Sequence, residues 1–151
     1  MREELNPMSR LLSTASAFWL LAGAALTAGL VLRLQGISDQ ILMDDEWHSL
    51  SYATDYSLID LFTHMGNGAT CIPLNVFQRL MLETIGWNEH ILRLPSLLGG
   101  ILCLCIIPML VRSLFNERVV SMVVCLLAVS PYLIFTSRFS RPYSIYLLLS
   151  F

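Results

Sequence analysis

The sequence predicts an all-α polytopic membrane protein, and three observations predict it. Charged residues make up 13% of the 151 positions and hydrophobic ones 56%, about half the charge of an average soluble domain. The apolar residues fall in long charge-free runs, and arginines bound those runs. Mean hydropathy is +0.67. The net charge of −2, the lack of a basic patch and the lack of zinc-finger or Gly-rich phosphate-loop spacings point away from a nucleic-acid partner. All nine basic residues are Arg.

Met1 to Arg10 is a polar leader carrying Arg2 and Arg10. Leu11 to Leu32 follows without a charge, a run long enough to span a bilayer with modest tilt. A cleaved signal peptide is the competing reading. The run exceeds a usual signal-peptide core and no small-residue cleavage site follows Arg33, so an uncleaved span at 11–32 is expected. Arg2 and Arg10 favour a cytoplasmic N-terminus, with Glu3 and Glu4 counting little.

The region 35–90 is the most polar and holds all three histidines; it is read as a long outer loop carrying interfacial helices. Met65 to Thr70 is a Gly-rich turn. From Asn75 to Ile85 the pattern is helical: Asn75, Arg79 and Glu83 share one stripe, with Arg79 and Glu83 placed to pair. Charges in mid-run suit a helix lying at the interface, with a short spanning helix as the alternative.

A second window, 94–111, lies between Arg93 and Arg112, with Pro95 expected in its first turn and Gly99-Gly100 allowing close packing. A polar turn at 115–118 leads to a third window, 119–137, which Pro131 should kink. Another span starts at Pro142. The ten residues left cannot cross roughly 30 Å of hydrocarbon, so the chain is expected to be the N-terminal part of a longer protein. Cys71, Cys103, Cys105 and Cys125 read as small packing residues rather than disulfides or metal ligands.

With a cytoplasmic N-terminus, 35–90 and the turn around Arg138 share the outer face. The positive-inside rule then meets a surplus: Arg33, Arg79, Arg93, Arg138 and Arg141 would all lie outside. Either the orientation is reversed or some of these arginines serve the protein itself.

The one dense charge cluster is Asp44-Asp45-Glu46, followed by Trp47 and His48. Charge alone favours a solvated acidic loop. The alternative is a catalytic carboxylate at the membrane surface. Asp45, Glu46 and His48 also form a partial ligand set for a divalent cation, without a fourth ligand. Trp19, Trp47 and Trp87 suit packing or interfacial anchoring, with Trp47 also able to stack on a sugar, and His64 and His90 are expected at the surface.

Three features in order resemble the membrane glycosyltransferases of the GT-C type, closest to the dolichyl-phosphate-mannose–protein mannosyltransferase-like and aminoarabinose-transferase-like groups. The first is Asp45-Glu46. The second is Ile72-Pro73-Leu74 followed by Gly86-Trp87-Asn88-Glu89 and Arg93-Leu94-Pro95-Ser96. The third is Ser130-Pro131, then Ser137-Arg138-Phe139-Ser140-Arg141-Pro142-Tyr143. The likeness covers 44 to the C-terminus. The chain departs from it at Ile72, where many relatives have Pro, and at Phe139, where many have Glu, which bears on the loop geometry and on the acceptor class.

The resemblance implies transfer of a sugar from a polyprenyl-phosphate donor to a lipid, glycan or protein acceptor at the extracytoplasmic face. Asp45 would be the base, with Glu46 orienting the site and Asp44 as second choice. A carboxylate partly desolvated at a membrane surface has the basicity for that step. Arg138, Arg141 and Tyr143 would bind the donor phosphate. It also implies an integral multi-pass location, in the inner or plasma membrane for a bacterium, and an inactive fragment when these residues stand alone. Two rivals are a non-catalytic relative or assembly subunit and, less favoured because the three windows hold no charge, a transporter.

Overall fold

In the computed structural model the chain is helical: α1 (Pro7–Leu34), α2 (Asp44–Asp55), α3 (Asp60–Thr63), α4 (Ile72–Thr84), α5 (Glu89–Leu114), α6 (Glu117–Val129), α7 (Pro131–Ser137) and α8 (Tyr143–Leu149). The structure describes residues 7–37, 39–64 and 71–150, with side chains from Phe18 onward, and no strand occurs among them. The start of the predicted polar leader and the whole of the Gly-rich turn at 65–70 lie outside the described residues. α5 is central, packing against α6, α7 and α8, while α1 lies along α6. α2, α3 and α4 form a cap joined to α5 through α4.

The second predicted span is longer than its charge-free window. Asn88 caps α5 by accepting from the backbone N–H groups of His90 and Ile91 at 3.1 and 3.3 Å. The helix therefore starts at Glu89 rather than Leu94, and Pro95 sits in its second turn instead of its first. Its 26 residues reach about 39 Å, beyond the roughly 30 Å of a hydrocarbon core. Among the described residues α5 is the one helix long and apolar enough to cross a membrane, with α6 and α7 adding a second when counted as one bent span. The described side-chain part of α1, Phe18–Leu34, is a shorter apolar helix.

Pro131 breaks the third predicted span into two helices bent by 56°. A proline brings no N–H, so the carbonyl four residues earlier, on Leu127, needs another donor. Arg33 supplies it: its guanidinium donates to Leu127 O at 3.1 Å and Ala128 O at 3.4 Å, and to the Ser137 hydroxyl at 3.2 Å. An arginine read as a helix-end charge is instead buried across the break.

The expected close packing at Gly99-Gly100 is present, against two neighbours. A Cβ on Gly99 would lie 3.3 Å from the Ser144 and Ile145 backbone, and one on Gly100 would lie 2.5 Å from Ser137 Cβ. Gly99 and Gly100 face inward on α5 beside the buried Leu92, Leu97, Leu104 and Ile107, while Leu94, Leu98, Leu102, Ile106 and Leu110 form an exposed ridge at every fourth position. α4 buries Asn75 and Gln78 together with Leu74 and exposes Ile72 and Leu80. The expected Asn75–Arg79–Glu83 stripe splits: Arg79 and Glu83 pair at 2.7 Å as predicted, but Asn75 turns into the cap.

At the end of the bundle away from the cap, Phe18, Val120 and Val124 form an apolar cluster with Ala25, Leu26 and Val111. Arg112 lies 4.7 Å from the Trp19 ring centroid. All four cysteines are free; Cys103 is buried as a packing residue, Cys71 and Cys125 are half-buried, and Cys105 is exposed.

Candidate functional site

The acidic cluster is not a loop; it is the first turn of α2, where negative charge offsets the positive end of the helix dipole. Successive helical residues point about 100° apart, and this separates the three carboxylates. Asp44 projects into solvent and meets His48 at 3.7 Å. Asp45 is 55% exposed. Glu46 shares the inward face with Ser49, Leu50 and Ala53 and is 0% exposed.

Glu46 is held on every side. Arg93 donates to it through Nε at 3.1 Å and Nη2 at 3.3 Å. The Ser140 backbone N–H donates at 2.6 Å and the Met43 N–H at 3.2 Å. Arg93, counted among the surplus outer arginines, is 1% exposed and has Glu46 as its nearer partner, with Glu89 at 3.8 Å. Its Nη1 also donates to the carbonyls of Ile37 and Gln40 at 3.2 and 3.0 Å.

Ser140 is the second hub. Its hydroxyl donates to Leu92 O at 3.0 Å and accepts from Gln78 Nε2 at 3.0 Å. The Ser49 hydroxyl lies 3.2 Å from both Asn75 Oδ1 and Gln78 Oε1. Beside it, Ser96 donates to Arg141 O at 2.6 Å, and Ser144 donates to Ser96 O at 2.6 Å. The turn between α7 and α8 is therefore fastened by α2, α4 and α5 together. Ser49, Gln78, Ser140 and the inward role of Arg93 were missed in the sequence, because small polar residues in an apolar chain carry no periodic signal.

This clamp delivers Arg141 and Tyr143 to Asp45. Arg141 Nη2 lies 3.4 Å from Asp45 Oδ1 and the Tyr143 hydroxyl donates to Oδ2 at 3.1 Å. Arg141 is 7% exposed and forms an ion pair with Asp45. Arg138 is placed differently from its expected partner Arg141. Its Nη2 would be 3.4 Å from a Cβ on Gly36, next to Asp39, in the connection leading to α2. Among the described residues Arg138 forms no ion pair, and its buried Nε has no hydrogen-bond partner.

Asp44 and Asp45 edge an open groove of about 510 Å³ lined also by Met43, Tyr132, Phe135, Thr136, Phe139 and Tyr143. Phe135, Phe139 and Tyr143 form a ladder, with ring centroids 5.1 and 6.0 Å apart. The arrangement offers one accessible carboxylate, fixed by two donors, at the mouth of an aromatic groove.

The suggested cation ligands Asp45, Glu46 and His48 are not brought together, since Glu46 faces inward and His48 sits beside Asp44. Among the described residues no three of His, Cys, Asp or Glu converge on one point. Trp47 and Trp87 are exposed and stand 6.4 Å apart, and His64 and His90 are at the surface as expected. The chain matches no protein-family model, no curated protein and no solved structure.

Proposed function

We propose that the chain belongs to a polytopic membrane glycosyltransferase that uses a polyprenyl-phosphate sugar, with Asp45 as general base. One observation carries the reading: three segments far apart in sequence are tied together around Glu46, and the turn they hold sets Arg141 and Tyr143 on the neighbouring Asp45. Asp45-Glu46, Arg93 to Ser96 and Ser140 to Tyr143 are joined by direct hydrogen bonds, and only Asp45 among their acidic groups is both fixed and open.

In this reading the Asp45 carboxylate takes the proton of an acceptor hydroxyl. The hydroxyl oxygen bonds to the sugar's anomeric carbon as the bond to phosphate breaks, and the phosphate leaves with the electron pair. Arg141 and Tyr143 orient Asp45. Arg138, without an ion-pair partner among the described residues, is the cation that meets the leaving phosphate. Glu46 and Arg93 position the turn and touch no substrate.

Membrane embedding is supported by α5, a 26-residue apolar helix that carries an exposed aliphatic ridge from Leu94 to Leu110 while Gly99 and Gly100 pack closely inside. The N-terminus-inside orientation is supported by the fate of the surplus arginines. Arg33, Arg93 and Arg141 are buried against protein acceptors, and Arg79 donates to Ala53 O and Thr54 O at the end of α2. Charges engaged this way count little in the positive-inside balance.

The test is sugar transfer by membranes containing the protein at its full coded length, offered a panel of polyprenyl-phosphate sugars and lipid or peptide acceptors. Transfer with one donor, reduced at least ~10²-fold in Asp45→Asn, is expected. No transfer with any donor, or full transfer in Asp45→Asn, overturns the reading.

A further inference from the structure

The groove at Asp45 has a composition that separates two possible occupants. Its charged lining residues are Asp44 and Asp45, and neither Arg138 nor Arg141 lines it. A phosphate placed there would face the Asp44 and Asp45 carboxylates, with the Arg141 guanidinium already engaged on Asp45 Oδ1 at 3.4 Å, which disfavours it. Hydroxyl groups, by contrast, donate readily to carboxylates, and the exposed rings of Tyr132, Phe135 and Tyr143 offer flat faces to the apolar side of a sugar ring or similar body.

The groove also continues. A second depression of about 340 Å³ shares Tyr132, Thr136 and Tyr143 with it and is lined further by Leu133, Tyr146 and Leu147. An aromatic compartment edged by two carboxylates therefore opens past two tyrosines into a more apolar one along α7 and α8. That sequence of surfaces fits a molecule with a hydroxylated head and an apolar tail.

We infer that this groove receives the acceptor rather than the phosphate-bearing donor, and that the acceptor is an amphiphile with hydroxyls and no negative charge at its reacting end. The inference rests on the glycosyltransferase reading for the word acceptor; the chemistry of the occupant rests on the groove alone. Tyr132 is the residue that sets specificity, because it walls both compartments and is exposed to both.

The test uses the chain in lipid nanodiscs with two photoreactive probes sharing one diazirine-bearing dodecyl tail, one headed by glucose and one by phosphate. Cross-links are mapped by mass spectrometry. The glucoside should label the segment 132–147 at least tenfold more than the phosphate does. Tyr132→Ala should lose that labelling and Tyr132→Phe keep it. Asp44→Asn should raise phosphate labelling several-fold. Equal or stronger labelling by the phosphate, labelling spread over the exposed ridge of α5 as for bulk lipid, or loss in Tyr132→Phe overturns the inference. The two readings fail separately. Absent sugar transfer with selective glucoside labelling sinks the glycosyltransferase alone, and transfer with phosphate in the groove sinks the acceptor assignment alone.

Discussion

Arg93 and Glu46 form a two-pronged ion pair across 47 positions, with the guanidinium 1% and the carboxylate 0% exposed. The pair fastens α5 to the start of α2, and the Ser140 N–H adds the α7–α8 turn to the same carboxylate. Removing one member of such a pair leaves an uncompensated buried charge, which costs about 3–5 kcal/mol. Arg93→Leu and Glu46→Leu should each lower the unfolding midpoint of the purified protein sharply. The double variant should be less damaged than the sum of the two. Additive losses would show that the two side chains do not act as a pair.

The same pair shows how far the sequence could be read. Charge-free windows bounded by arginine located α5 and the α6–α7 pair, and Pro131 marked the bend, because these signals are local. The inward turn of Glu46 is not local. It depends on a partner 47 residues away and on the helical phase of α2, which a short acidic run does not reveal. Asn75 failed for another reason. A polar stripe on a helix usually faces water, yet α4 turns Asn75 and Gln78 toward Ser49 and Ser140, beside the buried Leu74, and leaves Ile72 and Leu80 outside. Periodicity gave the stripe and not its direction.

Asp45 can be altered without touching this frame, since it is half exposed and Glu46 carries the clamp. Asp45→Asn should leave membrane level unchanged and lower the unfolding midpoint less than Glu46→Leu does, while lowering transfer at least ~10²-fold. Arg141→Lys should keep the charge and insertion but lose most turnover, because an ammonium cannot reproduce a planar guanidinium wedged between Asp45 and the turn. Headgroup anchoring would predict the opposite, as Lys snorkels about as well as Arg. Full turnover in Arg141→Lys would remove Arg141 from the site.

Two glycines give an internal comparison of packing. A methyl group on Gly100 would lie 2.5 Å from Ser137 Cβ, whereas one on Gly23 meets nothing within 4 Å. Gly100→Ala should destabilise by about 1–3 kcal/mol through overpacking. Gly23→Ala should be neutral or stabilising by up to about 1 kcal/mol from helix propensity. Equal midpoints for the two variants would contradict the close approach of α5 to α7.

The proposed orientation places the cap outside the membrane, and the structure selects the residues that can report it. Ser49 is buried against Asn75 and Gln78, so a cysteine there would react poorly from either side. His48, one residue earlier, is half exposed, and Asn116 lies exposed at the start of α6. Cys105 is itself exposed, so the native cysteines must first be replaced, by Ala at Cys103 where the space is tight and by Ser at Cys71. In that background His48→Cys in intact cells should react with a membrane-impermeant maleimide, and Asn116→Cys should react only after the membrane is opened. The reverse pattern would put Asp45 and its groove in the cytoplasm. The arginines at 33, 79, 93 and 141, all engaged by protein groups, would then have to be counted again as ordinary inside charges.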